Sequence, residues 1–393
     1  MEQKEQNPQN RIYTKIPKVM ETRNQSNFVL VLACCGVVLY HLLGNEELYI
    51  GNAGKLDFKI LQSYYSSNGF FYTLFECIKG STAIIGLFLI NSGYGLFKSA
   101  RNQTPIQFYK KRFTKIWIYC LLCGFLCTLI VYSVRADFIY SYIFSIIPIF
   151  GFYEMPREGF VVQYWYLALI FIYYLLFPYL RKVMNIKVFF YLMLASAFIG
   201  YLVIFNVYTT TSIYHSTLCR LSEFSFGILL AKNQKFEKYF FEFKPIKIVF
   251  ASMMLLSGYL MFYEPGFVPF SFLFYSVGVY FLGVQIAGLF ISNARVERLF
   301  SVLKGGTMSV YLLHLLFFPS VLKVLLNFIN SYFKIEKSYF LSFILILFIT
   351  FLTLVVFNII EKYYYRFSGD LADILKNGLH SKHLINHLNS HKV

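Results

Sequence analysis

VLACCGVVLYHLLGN (residues 31–45) is apolar from Val31 to Gly44 except for one imidazole, His41. Together with Phe28–Leu30 the run is long enough to approach a bilayer span. Further apolar runs of about 16–22 residues follow it, the length a helix needs to cross hydrocarbon. The composition agrees: 58% of the 393 residues are hydrophobic, 21% aromatic and only 14% charged, against about 25% charged in soluble domains. The expected fold class is an all-α integral membrane protein, with about ten transmembrane helices in one bundle.

The spans are expected near 28–43, 81–97, 113–134, 162–180, 188–206, 213–231, 248–263, 270–291, 307–329 and 340–361. Residues 1–27 are polar and end in ETRNQSN, with no small-residue cleavage site after the first apolar run. That run is therefore expected to stay as an anchor. A stretch at 138–153, FIYSYIFSIIPIFGFY, is short and carries Pro148. If it does not cross and the N-terminus is cytoplasmic, the inner segments hold 27 of the 36 Lys and Arg and the outer segments only 7. An eleventh crossing would put the later basic loops outside. The positive-inside rule thus favours a multi-pass protein of the cell membrane, with both termini cytoplasmic and 138–153 re-entrant or lying at the surface. The expected organisation is an N-terminal cytoplasmic segment (1–27), a membrane domain (28–361) and a cytoplasmic tail (362–393).

The net charge of +17 sits at the ends of apolar runs, where it sets topology and meets anionic lipid. No basic–aromatic module of a nucleic-acid binder is present, so the bilayer is the expected partner and nucleic acid is not. Cys120, Cys123 and Cys127 share a helix face, but their run holds no His or acidic residue to complete a ligand set. They are read as small hydrophobes. Four histidines in the tail LHSKHLINHLNSHKV (379–393) are read as solvated, and no metal site is expected. There is no P-loop, and none of the four Asp forms a D-x-D pair beside a span.

Ionisable side chains inside spans cost about 2.5–3.5 kcal/mol each on insertion scales, so the few present are informative. His41 lies near the outer end of its span and is either an interfacial histidine or a general base, since an unperturbed imidazole titrates near neutrality. Arg220 and Glu223 are three residues apart on one helix face. They form either a structural ion pair or a pair lining a cavity. Ser92 and Gly93 allow close approach of a helix or a ligand. Arg112 and Lys115 share a face at the cytoplasmic start of a span, either as snorkelling topology residues or as an anion site. His314, in SVYLLHLLFFP, is read as a helix-packing histidine.

Six motifs then fall in a recognisable order. LVLACCGVVLYH (30–41), LFLINSGYGLF (87–97), YKKRFTKIW (109–117), QYWYLALIFIYYLLFP (163–178), RLSEFSFGILLA (220–231) and SVYLLHLLFF (309–318) together resemble the bacterial acyltransferase-3 family of integral membrane acyltransferases. The likeness covers roughly residues 26–365. It implies that His41 is the catalytic base and that acyl-CoA, usually acetyl-CoA, is supplied from the cytoplasm as donor substrate, with no bound cofactor. It also implies a glycan acceptor, a surface polysaccharide or its lipid-linked precursor. Arg112 and Lys115 would favour the donor phosphates. Trp165 would stack on sugar, and Ser92, Arg220 and Glu223 would line the substrate cavity. The chain departs from the family at two positions. Leu30 stands where a basic residue usually precedes the histidine by eleven positions, and Asn27 stands at a usually acidic position. The expected activity is O-acylation, most simply O-acetylation, in surface or exopolysaccharide biosynthesis. The rivals are a glycan transporter or flippase using the same cavity without chemistry, a diverged non-catalytic member, and a polymerase. The last is disfavoured because residues 135–161 hold only Arg135 and Arg157.

Overall fold

The computed structural model describes residues 18–44, 84–100, 102–132, 165–206, 219–263, 267–290, 294–314 and 347–363, with isolated positions at 324, 328, 344 and 345. These residues are helical, with no strand among them. In chain order the helices are α1 (Lys18–Gly44), α2 (Ile84–Ser99), α3 (Pro105–Tyr132), α4 (Trp165–Val183), α5 (Ile186–Asn206), α6 (Leu221–Lys232), α7 (Gln234–Phe241), α8 (Pro245–Tyr263), α9 (Val268–Phe290) and α10 (Ala294–Leu303). A 3-10 turn (Lys304–Gly306) leads into α11 (Thr307–Leu313), and residues 347–363 form α12. The stretch at 138–153, the cysteine trio's side chains and the histidine-bearing tail lie outside the described residues.

Local sequence explains where several helices start. The expected span at 113–134 lies inside a helix that begins at Pro105, because TPIQ is a capping box with proline at the first helical position. The Gln107 backbone N–H donates to Thr104 Oγ1 (3.3 Å), and the Thr104 N–H donates to Gln107 Oε1 (3.1 Å). The expected span at 213–231 becomes α6 preceded by a turn at Cys219–Arg220. Asn233 then breaks the chain with an extended backbone, and its side chain accepts from the Phe236 N–H (3.1 Å) to start α7. Helix α1 begins at Lys18, ten residues before the expected span. Its polar first turns are held inside the protein: Asn24, Gln25, Ser26 and Asn27 are all buried.

Helices α1, α2, α6 and α9 pack together at the centre, with α8 against α9. Two crossings depend on missing side chains. A Cβ at Gly93 would stand 2.2 Å from the Phe224 carbonyl oxygen, and one at Gly227 would stand 2.0 Å from that of Ile90, so α2 and α6 meet backbone to backbone. Likewise Gly258 abuts Tyr275 and Gly278 abuts Leu255 where α8 crosses α9. Buried carboxamides close the end of α7: Gln25 of α1 donates to the Phe241 carbonyl (3.1 Å) and Gln285 of α9 to that of Phe240 (2.9 Å).

The outward faces are apolar. Phe190, Leu194, Phe198 and Leu202 recur every fourth residue along α5, all exposed, and Val249, Met253, Leu256 and Leu260, three or four residues apart, form a like exposed stripe on α8. Water would penalise such stripes, whereas hydrocarbon accepts them. Among the described residues, α4 over Tyr166–Val183 and α9 over Phe270–Phe290 are long and apolar enough to cross a membrane. Pro178 lies inside α4, and three residues before it the Leu175 carbonyl accepts from the Tyr109 hydroxyl of α3 (3.1 Å).

Candidate functional site

Parts of α1, α2, α3 and α4, with α7, α10, the 3-10 turn and α11, line a cavity of about 1030 Å³. Its lining changes character along α2. Lys98 sits six residues after Ser92, which is about 9 Å along the helix axis. The lining carries five basic side chains, Lys98, Arg112, Lys115, Lys238 and Lys304, against one carboxylate, Glu237; Arg112 and Glu237 gather at the Lys98 end, on Ser99 and on Lys98 itself, while the Lys304 turn packs on α1. The lining also includes the neutral side chains Asn27, Leu30, Asn91, Ser92, Tyr166 and Tyr311.

Several of the basic side chains are held in place by their neighbours. Glu237 of α7 accepts from the Tyr94 hydroxyl and from Lys98 Nζ, each at 2.6 Å, which pins α7 over the end of α2. Arg112 donates through Nη2 to Ser99 Oγ (2.6 Å) and its guanidinium lies 5.9 Å from the Phe108 ring centroid. Its buried Nε has no hydrogen-bond partner among the described residues. Lys115 pairs with Glu361 of α12 at 2.8 Å. Among the neutral side chains, the hydroxyls of Tyr166 and Ser92 hydrogen-bond each other.

Of the residues singled out in the sequence, Ser92, Arg112 and Lys115 come together on this cavity. Arg220 and Glu223 are not among its lining residues. They form a fully buried two-pronged pair, Nη2 to Oε1 at 2.7 Å and Nε to Oε2 at 3.2 Å, with Ser276 of α9 donating to Oε1 (3.4 Å) and the guanidinium 4.8 Å from the Phe272 ring. His314 is buried, with Nδ1 against the Tyr311 carbonyl. His41 and Trp165 lie on α1 and α4, and their side chains lie outside the described residues. The cavity adds residues the sequence reading did not single out. Lys98, Lys238 and Lys304 look like topology charges in a linear sequence. Asn91 sits directly before Ser92, inside a motif already of interest.

Such a cavity suits a ligand with a polyanionic head and a neutral, polar tail, in a protein whose surface is made for lipid. The chain belongs to the acyltransferase-3 family: the family's acyltransferase domain matches residues 27–360, most of its length. It is therefore an acyltransferase-domain protein of a membrane-associated family. No curated protein and no solved structure matches the chain.

Proposed function

We propose that the protein is a membrane O-acyltransferase, moving an acyl group, in the simplest case acetyl, from cytoplasmic acyl-CoA to a hydroxyl of a surface or exopolysaccharide or its lipid-linked precursor. The single observation that carries the reading is the cavity lined by five basic and several neutral polar side chains, in a chain of this family. The phosphates of CoA would be drawn to Lys98, Arg112, Lys115, Lys238 and Lys304, and the uncharged arm would run past Asn27 and Leu30. In this reading ten spans form the membrane domain at 28–361, and both termini face the cytoplasm of a cell-membrane protein.

His41 is the proposed base. Its eleven-residue spacing from Leu30 puts position 41 on the same face of α1, about 16 Å further along the axis. The imidazole takes the proton of the acceptor hydroxyl as that oxygen attacks the thioester carbonyl. The carbon–sulfur bond breaks, and the leaving thiolate receives the proton from the imidazolium. The products are the ester and free CoA thiol, and the base is regenerated. Trp165 is assigned to the acceptor sugar.

The test compares wild type with His41→Ala, expressed at matched membrane levels in cells making a candidate glycan. Ester-linked acyl groups on the purified polysaccharide are quantified by NMR before and after mild alkali. Alkali-labile acyl signals with wild type, lost in the variant, are expected. Absence of such signals from both on several glycans, with glycan export still dependent on the protein, would overturn the reading in favour of a transporter.

A further inference from the structure

Asn27 is 2% exposed, lines the cavity, and its Oδ1 is a buried acceptor with no hydrogen-bond partner among the described residues. Leaving such a group unmet is costly, so a buried, unmatched acceptor on a cavity wall points to a donor that arrives with the ligand. The neighbouring group on the wall is complementary. The Asn91 carboxamide oxygen accepts from Ser26 Oγ and from the Tyr280 hydroxyl (3.4 Å), and Tyr280 also donates to Ser26 Oγ (3.3 Å). With that oxygen held by two hydroxyls, the amide N–H2 is the part of Asn91 left to the cavity.

We propose that Asn27 and Asn91 form a recognition site for a secondary amide, the ligand N–H donating to Asn27 Oδ1 and the ligand carbonyl accepting from Asn91 Nδ2. The proposal rests on the reading of the cavity as an acyl-CoA site, and it assigns the wall to the pantetheine arm. That arm is an uncharged chain bearing secondary amides between the anionic nucleotide and the thioester. The placement is consistent along α1: Leu30, one turn beyond Asn27, supplies an apolar surface for the methylenes next to the amide.

The test measures equilibrium binding of three probes to the purified full-length protein. They are acetyl-CoA, S-acetylpantetheine (the arm alone) and adenosine 3′,5′-bisphosphate (the nucleotide end alone). In Asn27→Ala, both probes containing the arm should bind roughly fivefold to twentyfold more weakly. The nucleotide probe should bind as to wild type, which also shows that the variant is folded. A second arm leaves the protein untouched: S-acetylpantetheine N-methylated at its amides should lose a similar factor on wild type. Equal binding of the methylated and parent probes, or an Asn27→Ala effect confined to the nucleotide probe, overturns the assignment alone. Wild type that binds none of the probes overturns the donor-site reading and this assignment with it.

Discussion

Arg220 and Glu223 carry full charges where neither has any exposed surface. Desolvating both is offset by the two-pronged contact, the Ser276 hydroxyl and the Phe272 ring face. Removing one partner strands the other, at a cost of about 3–5 kcal/mol, whereas replacing both by apolar groups removes the desolvation burden as well. Arg220→Met and Glu223→Leu should each lower the melting temperature of the solubilised protein sharply. The double variant should recover most of the loss. Equal loss in the double and single variants would show that the charges are needed for more than each other. At this scale the sequence was partly legible. Arg112, Lys115 and Ser92 stand out because charged or small residues at apolar positions are rare. Asn27 stood out only as a departure from the family's usual acidic position, because it closes a polar stretch that reads equally well as solvated. Only burial separates a cavity wall from a surface.

The elements show the same division. Apolar runs identified most helices, because length and hydropathy are local properties. Their ends were set by other chemistry. The TPIQ box moved the start of α3 to Pro105, and burial of Asn24–Asn27 against α2, α7 and α9 let α1 extend back to Lys18. The α2–α6 crossing could be suspected from Gly93, but its partner Gly227 is visible only in three dimensions. Close packing there leaves no room for a methyl group. Gly93→Ala and Gly227→Ala should each destabilise the protein by more than about 2 kcal/mol, read as a lower melting temperature and less monodisperse protein in detergent. Gly95, whose added Cβ would meet nothing within 4 Å, is the control: Gly95→Ala should be neutral or slightly stabilising through helix propensity.

For the whole molecule, apolar stripes on α5 and α8 face outward, while five basic side chains line a cavity bounded in part by α1, α2 and α3. The proposal that both termini face the cytoplasm rests on the charge bias of the loops. A C-terminal fluorescent-protein fusion should therefore glow, and a C-terminal alkaline phosphatase fusion should be inactive; the reverse pattern would invert the topology. The resemblance read from six short motifs agrees with the family match over residues 27–360. The cavity itself could not be read in advance, since its lining comes from helices far apart in the chain. The measurement that tests the account most directly is equilibrium binding of acetyl-CoA to purified wild type and to an Arg112→Ala/Lys304→Ala variant over a range of salt. The account predicts saturable binding that weakens as salt is raised and is at least about tenfold weaker in the variant. No saturable binding, or binding indifferent both to salt and to the loss of these two cations, would contradict it.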